Sequence, residues 1–495
     1  MGNQINESRS PDKKVVLCHG VFDLLHPGHI AHLIEAKNLG DVLVVTVTDD
    51  QHVNKGPNRP VQSAPARATI LAALKMVDYV AISEFPNALE VINLVKPDIY
   101  VKGPDYALAS TDITGNILKE RLAVESYGGK IHFTSAPSIS SSKLINDAGL
   151  GIPKNASNYL NEFRKLYSVT EIQKIITDFT KLKVLVIGEA IIDEYLTCEA
   201  LGKSSKDPVL AFREISLERQ LGGSLAIANH CANLGAQVTI LTKIGNSEQD
   251  SNLVKSKLNS TITPRIVVSQ HDPTIIKRRY VDSLTQFRVF ETYIMAENQN
   301  DNVELDKQIN EYRNIYNDFD LVMICDYGHG FMAPKFIETI VKSSVKLSIN
   351  TQSNAGNKGL NSISKYARVD FLSLNGSEVG AELRNHNSKI ENLLPNLLSK
   401  TGAKRVIVTE GSKGLSAAES TQVCRAPALA DKVVDRVGAG DAVYATASLL
   451  FALDVNLEIT CFLSNLSGSI SISDLGNRKS VDSVHLTKFA LSLLK

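Results

Sequence analysis

The sequence predicts an α/β protein of more than one domain, on three observations. Short apolar runs alternate with amphipathic stretches over residues 15–147 and again from 183 onward, the pattern of βαβ units around parallel sheets. Two strand-to-helix turns are broken by glycine, one at His26-Pro27-Gly28-His29 and one at Gly438-Ala439-Gly440-Asp441. The length of 495 residues exceeds what a single hydrophobic core sustains.

In the first series, Val15–Cys18, Val42–Val47, Tyr79–Ile82, Ile99–Val101 and Ile131–Phe133 read as strands, with helical spacing at Ile30–Leu39 and Arg67–Met76. The pattern fades after Ile145, which bounds a domain at 15–150, and the polar residues 1–14 read as a loose tail. Residues 151–181 carry apolar positions three and four apart (Tyr159, Phe163, Leu166, Ile172, Ile176, Phe179) and read as a helical connector.

The second domain, 182–495, opens on the strand Lys183–Gly188 and continues with strands at Val238–Leu241, Leu321–Ile324, Val369–Leu374 and Val406–Thr409. Val209–Ile215 and Ile275–Phe290 alternate polar with apolar residues, as a half-exposed sheet does, so a small β-sheet lid on a larger α/β layer is expected. The longest apolar stretch, Ala442–Leu453, is too short to span a membrane and reads as a buried helix.

Lys+Arg and Asp+Glu both total 53, so no net field draws the molecule to nucleic acid or to an anionic membrane. The six cysteines show no metal-site spacing, which fits free thiols in a reducing, cytoplasmic setting.

The first turn places backbone N–H groups and the positive end of a helix where a triphosphate could rest. His26 and His29, three apart on the first helical turn, could both reach one phosphate and stabilise a pentavalent state; the alternative is a pair of surface histidines at a helix start. In full, Gly20-Val21-Phe22-Asp23-Leu24-Leu25-His26-Pro27-Gly28-His29 resembles the signature of the cytidylyltransferase-like nucleotidyltransferases, a Rossmann-like fold. Downstream segments around Lys55, Arg67, Lys102 and Ser140-Ser141-Ser142 match the same pattern in order. The resemblance implies that Gly20, Phe22, Asp23, Lys55, Lys102 and Ser140–Ser142 bind the nucleotide, that Arg67 holds a substrate phosphate, and that His26 and His29 are catalytic.

At the second turn, Gly438-Ala439-Gly440 leaves room for backbone amides to approach an anion, and Asp441 can take a proton from a sugar hydroxyl; the alternative is a tight loop with an N-capping aspartate. With Gly222-Gly223 before a helix, Asn375-Gly376-Ser377-Glu378 and Thr409-Glu410-Gly411 after strands, the set resembles the ribokinase-like (PfkB) carbohydrate kinases. That resemblance implies Asp441 as catalytic base, Gly438, Ala439 and Gly440 as anion hole, Thr409 and Gly411 in the ATP cradle, and Asn375 and Glu378 as ligands to magnesium-bound water. It places Asp193, Gly222, Gly223 and Arg288 around the sugar phosphate.

Taken together, the two halves resemble the bifunctional heptose-phosphate kinase/adenylyltransferases with the domain order reversed. The resemblance implies two consecutive reactions: ATP and Mg²⁺ serve an anomeric phosphorylation, and a second nucleoside triphosphate, ATP or CTP, donates a nucleotidyl group to the sugar 1-phosphate. Against that pattern Ala226 replaces an asparagine, Glu189 an aspartate and His329 a lysine, so another sugar or polyol phosphate with CTP or GTP, or a kinase-like half that only binds sugar, are the alternatives. A homodimer is expected, because exposed lid strands of such kinases pair between subunits.

Overall fold

A computed structural model describes residues 13–56, 59–106, 116–135, 142, 145–146, 155–296, 316–357, 359–430 and 433–494. The chain divides into two compact units, residues 1–169 with 487–495, and residues 170–486.

The first unit is built on a five-stranded sheet of order β3-β2-β1-β4-β5, with β1 Val15–Gly20, β2 Val42–Thr48, β3 Tyr79–Ser83, β4 Ile99–Lys102 and β5 Lys130–Phe133. All its pairings are parallel. β1 lies between two neighbours, and its Val15, Val16, Leu17 and Cys18 are buried, as a strand covered on both faces requires. Helices α1 Pro27–Lys37, α2 Ala64–Ala72, α3 Leu89–Val95 and α4 Asn116–Glu125 connect the strands, and α5 Ser157–Leu166 follows. The strand order reverses at β1/β4, the switch point where ligands bind in open α/β sheets.

The final residues of the chain, assigned from sequence to the second domain, group with this first unit. Ser492 Oγ donates to the Lys55 carbonyl at 2.9 Å, and Asn146 Nδ2 to the Ser492 carbonyl at 2.8 Å. Gly56 sits at φ +105 with the Phe489 ring 2.3 Å from where a Cβ would stand, so only glycine fits there.

The second unit begins in α6 Val169–Asp178 and centres on a nine-stranded sheet, β10-β9-β6-β13-β14-β15-β16-β17-β18. Its strands β6 Lys183–Gly188, β9 Gln237–Gly245, β10 Thr263–Ser269, β13 Leu321–Asp326, β14 Lys346–Thr351, β15 Phe371–Asn375 and β16 Arg405–Thr409 run parallel. β17 Leu415–Glu419 and β18 Gln422–Ala426 close the edge as an antiparallel hairpin. A separate lid sheet has the order β12-β11-β7-β8, from β7 Ala190–Lys203, β8 Leu210–Gly223, β11 Ile275–Asp282 and β12 Arg288–Ile294.

Around the large sheet lie α7 Ser224–Asn233, α8 Glu248–Lys257, α9 Pro334–Val341, α10 Gly376–Leu383, α11 Ile390–Thr401, α12 Ala439–Ala452 and α13 Leu457–Ser471; α14 Ser483–Leu494 ends the chain. Every α12 residue from Ala442 to Phe451 is buried, as a helix apolar on all sides must be. Its hydroxyls find partners inside: Tyr444 Oη donates to the Ile324 carbonyl at 3.0 Å and the Ser348 carbonyl at 2.9 Å, and Ser448 Oγ meets Ser348 Oγ at 2.7 Å. These bonds fix α12, and with it Asp441 on its first turn, against β13 and β14.

Candidate active sites

In the first unit, β1 ends at Gly20 and the chain turns through Phe22 (φ 52) and Leu24 (φ 47) before Pro27 starts α1. Asp23 braces this turn by accepting from the Val61 amide at 2.9 Å and the Gln62 amide at 3.1 Å. Its carboxylate is therefore a scaffold for this turn. His26 caps the helix, its Nδ1 accepting from the His29 amide at 3.4 Å, and the two imidazoles stack with centroids 3.9 Å apart and an interplanar angle of 20°. Phe22 packs edge-on against His29 at 5.4 Å. The two expected catalytic histidines are thus brought together.

Burial, then the charge of Lys55, lowers the pKa of His26. Burial, His26, Lys55 and His32 push His29 down to about 3. Both rings are neutral near pH 7, and a neutral imidazole carries one N–H donor. The charge of Lys55 is felt by both rings.

Lys102 ends β4 with its side chain 11% exposed and pairs with Glu120 at 3.0 Å, while Tyr100 Oη donates to the same carboxylate at 3.2 Å. Its ammonium stands 4.8 Å from the Tyr106 ring centroid. Although burial opposes it, the interactions with Tyr100 and Glu120 hold its pKa above the lysine range. Ser142 is buried; Ser140 and Ser141 lie outside the described residues.

Arg67 corrects the sequence reading. Its side chain is fully buried, and the guanidinium donates to the Gln62, Val21 and Thr48 carbonyls at 2.9, 2.5 and 2.9 Å and to Asp50 at 2.5 Å. Its nitrogens are spent on stitching the β1 and β2 loops together, which leaves a substrate phosphate no face to approach.

In the second unit, Gly438 takes φ 85 at the head of α12, with Asn477 Oδ1 2.0 Å from where a Cβ would lie. A Cβ on Gly440 would meet nothing within 4 Å, so the turn is open on that side. Asp441 follows, and Tyr327 Oη donates to its Oδ1 at 3.0 Å. Burial first, then Asp193, push its pKa up to about 6 against Tyr327, Lys277 and Asn477, which lower it. A carboxylate so tuned suits a general base near neutrality.

Asp193, expected at the sugar, lies in register with Gln220 of β8 and Lys277 of β11 and accepts from Arg279 Nη1 at 2.5 Å. A Cβ on Gly222 would come within 2.3 Å of Asp193 Oδ2, which explains that glycine. Gly223 turns at φ 59 into α7. Arg288, expected beside the phosphosugar, pairs with the buried Asp435, which also accepts from Tyr195 Oη at 3.3 Å and the Gly476 amide at 3.0 Å. Val437 N donates to Asp435 Oδ1 at 3.1 Å, so the Arg288–Asp435 pair joins the lid to the segment that leads into Gly438.

Asn375 and Thr409 end neighbouring strands in register. Asn375 and Glu378 form a capping box, with Glu378 accepting from the Asn375 and Ser353 amides at 2.8 and 2.9 Å. Burial pushes Glu378 up to about 7. Gly411 lies at φ 59 with open space around it. Among the described residues no group of three or more His, Cys, Asp or Glu could hold a metal ion.

Sequence reasoning missed Lys277, Arg279, Tyr327 and Asp435. The one available signal was period-two alternation in Ile275–Asp282, which puts Lys277 and Arg279 on the inward face with buried Val281. Glu189 was read as a sugar-site variant, yet it accepts from the amides of Tyr327, His329 and Phe331 at 2.9, 3.1 and 3.3 Å. Burial and the neighbouring Asp326 raise its pKa.

Residues 181–483 match the pfkB family carbohydrate kinases, and residues 17–147 match the cytidylyltransferase-like family. A protein described as bifunctional protein HldE from Syntrophotalea carbinolica is 44% identical over 125 residues, 25% of this chain and 24% of that one. A namesake from Campylobacter jejuni (strain RM1221) is 50% identical over 97 residues, 19% of this chain and 21% of that one. These alignments span about a quarter of the relatives' length. Among solved structures, a ribokinase from Thermotoga maritima is similar over 63% of this chain and 99% of its own at TM-score 0.50 and 19% identity. A phosphofructokinase-2 mutant from Escherichia coli is similar over 63% and 100% at TM-score 0.51 and 15% identity. Both likenesses concern the fold. No helix among the described residues is long and apolar enough to cross a membrane.

Proposed function

The chain belongs to the pfkB family of carbohydrate kinases, and from that premise we propose a bifunctional enzyme that phosphorylates a sugar phosphate at its anomeric oxygen and then nucleotidylates the product. The observation that carries this reading is the coexistence in one chain of the His26–His29 stack at 3.9 Å and the Asp441–Tyr327 contact at 3.0 Å, each at a glycine-broken helix start. The resemblance of the two halves to the bifunctional heptose-phosphate kinase/adenylyltransferases supports a heptose 7-phosphate-like acceptor and ATP as nucleotidyl donor.

In the kinase step Asp441 takes the acceptor hydroxyl proton, the oxygen attacks the γ-phosphorus of ATP, and the bond to the β-phosphate oxygen breaks to release ADP. The amides of Gly438–Gly440 face the charge that develops, and Thr409 and Gly411 border the nucleotide. Asn375 and Glu378 would hold the water shell of magnesium, whose charge neutralises the polyphosphate. Asp193 would fix the sugar once Arg279 shares it.

In the transferase step an oxygen of the sugar 1-phosphate attacks the α-phosphorus of a second nucleoside triphosphate and pyrophosphate leaves. His26 and His29 offer neutral N–H donors to the pentavalent phosphate, Lys55 adds charge, and Gly20, Phe22 and Asp23 shape the turn. Lys102, with Ser140, Ser141 and Ser142, would complete the nucleotide pocket.

Supplying ATP with heptose 7-phosphate tests the reading: the 1-phosphate and pyrophosphate should both appear, and absence of both rejects it. A second reading keeps the chemistry on another sugar phosphate with CTP or GTP. It is favoured by His329, which burial and the charge of Lys277 lower to about 4, a neutral group with its buried Nε2 unpartnered among the described residues. A nucleotide panel with pyrophosphate detection separates the two.

A homodimer formed through the lid and a cytosolic location complete the proposal. Phe287 at 75% exposure and Leu210 at 63% leave apolar surface on the lid for a second copy, and light scattering on the full chain checks the mass.

A further inference from the structure

We propose that Lys277 is a catalytic residue of the kinase unit, the lid cation that rests against the phosphoryl group as it moves to the acceptor oxygen. The proposal rests on the kinase reading above and adds a group that none of the sequence motifs contains.

Lys277 lies on β11, in register with Asp193 of β7 and Tyr293 of β12, and is only 6% exposed. The other cations near this site are committed. Arg279 pairs with Asp193 at 2.5 Å, Arg288 pairs with Asp435, and Lys365 pairs with Asp326 at 2.6 Å. Lys277 forms no salt bridge among the described residues. Its ammonium stands 5.5 Å from the Tyr327 ring centroid and 5.7 Å from that of Tyr293. Aromatic faces attract a cation but do not replace a hydrogen-bonded anion, so a buried ammonium left in this condition is built to receive one from a ligand.

The position indicates which anion. Lys277 interacts electrostatically with both Asp193 and Asp441, and it overlies the tyrosine whose hydroxyl touches the base. It therefore faces the reacting end of the acceptor. The anion turn at Gly438–Gly440 supplies N–H groups from the head of α12, and Lys277 supplies charge from the lid. As the proton passes from the acceptor hydroxyl to Asp441 and the γ-phosphorus changes oxygens, the ammonium keeps its own protons and balances the spreading negative charge.

The test uses the full chain, ATP and a sugar phosphate that the wild type turns over. Lys277→Met should lower kcat about 100-fold, the scale for losing one preorganised donor. The KM for the sugar phosphate should stay within about threefold, as expected for an interaction made in the transition state. Binding of ADP with aluminium fluoride, a mimic of the group in flight, should weaken while ADP alone binds as before. Lys277→Arg should restore part of kcat. Unchanged ADP affinity shows that the variant is folded, and Lys277→Gln replaces the methionine variant if it is not. An active wild type with unchanged kcat in Lys277→Met overturns the assignment alone, as does a raised KM at constant kcat, which would give Lys277 to the acceptor's own phosphate. A wild type that phosphorylates no sugar phosphate overturns the kinase reading and this assignment with it.

Discussion

The Tyr327 hydroxyl donates to Asp441 Oδ1 at 3.0 Å, joining the end of β13 to the first turn of α12 across 114 positions of sequence. This contact lowers the pKa of a carboxylate that burial has raised to about 6. Because the base works ionised, kinase turnover should rise with pH through about 6 and level off above it. Tyr327→Phe removes a stabiliser of the ionised form, so that limb should move to higher pH. A kcat/KM profile from pH 5 to 9 checks it, and an unshifted limb would deny Asp441 the role of base.

Replacing Asp441 with Asn should cost the kinase about 10²–10⁴-fold in kcat and leave pyrophosphate release intact. Stability should move the other way. A raised carboxyl pKa means that ionisation disfavours the folded state. The cost appears as pH climbs through the unfolded value of 3.8 and is complete above about 6. Asp441→Asn should then be more stable by about 3 kcal/mol at pH 8 and nearly unchanged at pH 4, read by urea melts.

His29→Ala should reduce pyrophosphate formation by about 10²–10³-fold while kinase turnover stays unchanged. Its depressed pKa also has a stability consequence. The neutral ring is favoured on folding, so nothing is lost above the unfolded value of 6.5, and stability falls with acid from there toward about 3. The variant should unfold less steeply with acid across that window, followed by circular dichroism.

Arg67→Lys should destabilise the chain by about 3–5 kcal/mol, because a lysine cannot reproduce the fork and leaves several buried carbonyls and Asp50 short of donors. Equilibrium urea unfolding reads the loss. A variant that kept full stability but raised the KM for sugar phosphate would restore the phosphate-binding role that the geometry denies it.

The glycine-broken turns and most of the parallel strands were readable because each is a local event, a backbone conformation or a run of apolar residues. His26 and His29 share one helical turn, so their spacing already stated their meeting. Tyr327 and Lys277 reach Asp441 from strands far away in sequence, and nothing local marks a tyrosine or a lysine as a neighbour of a base. Arg67 misled for the same reason: an arginine near a phosphate motif looks free in sequence, whereas burial had already assigned its donors to carbonyls and to Asp50.

Glu189 gives the departures from the familiar pattern a different meaning. Its carboxylate gathers the peptide amides of residues 327, 329 and 331, so it acts as a clasp on the loop that carries the tyrosine, with no sign of tasting sugar. One more methylene than aspartate lets the clasp span from the start of the lid to that loop. Variation here would then be felt as slackness in the catalytic wall, and the choice of carbohydrate would be left to Ala226, His329 and the cations above them.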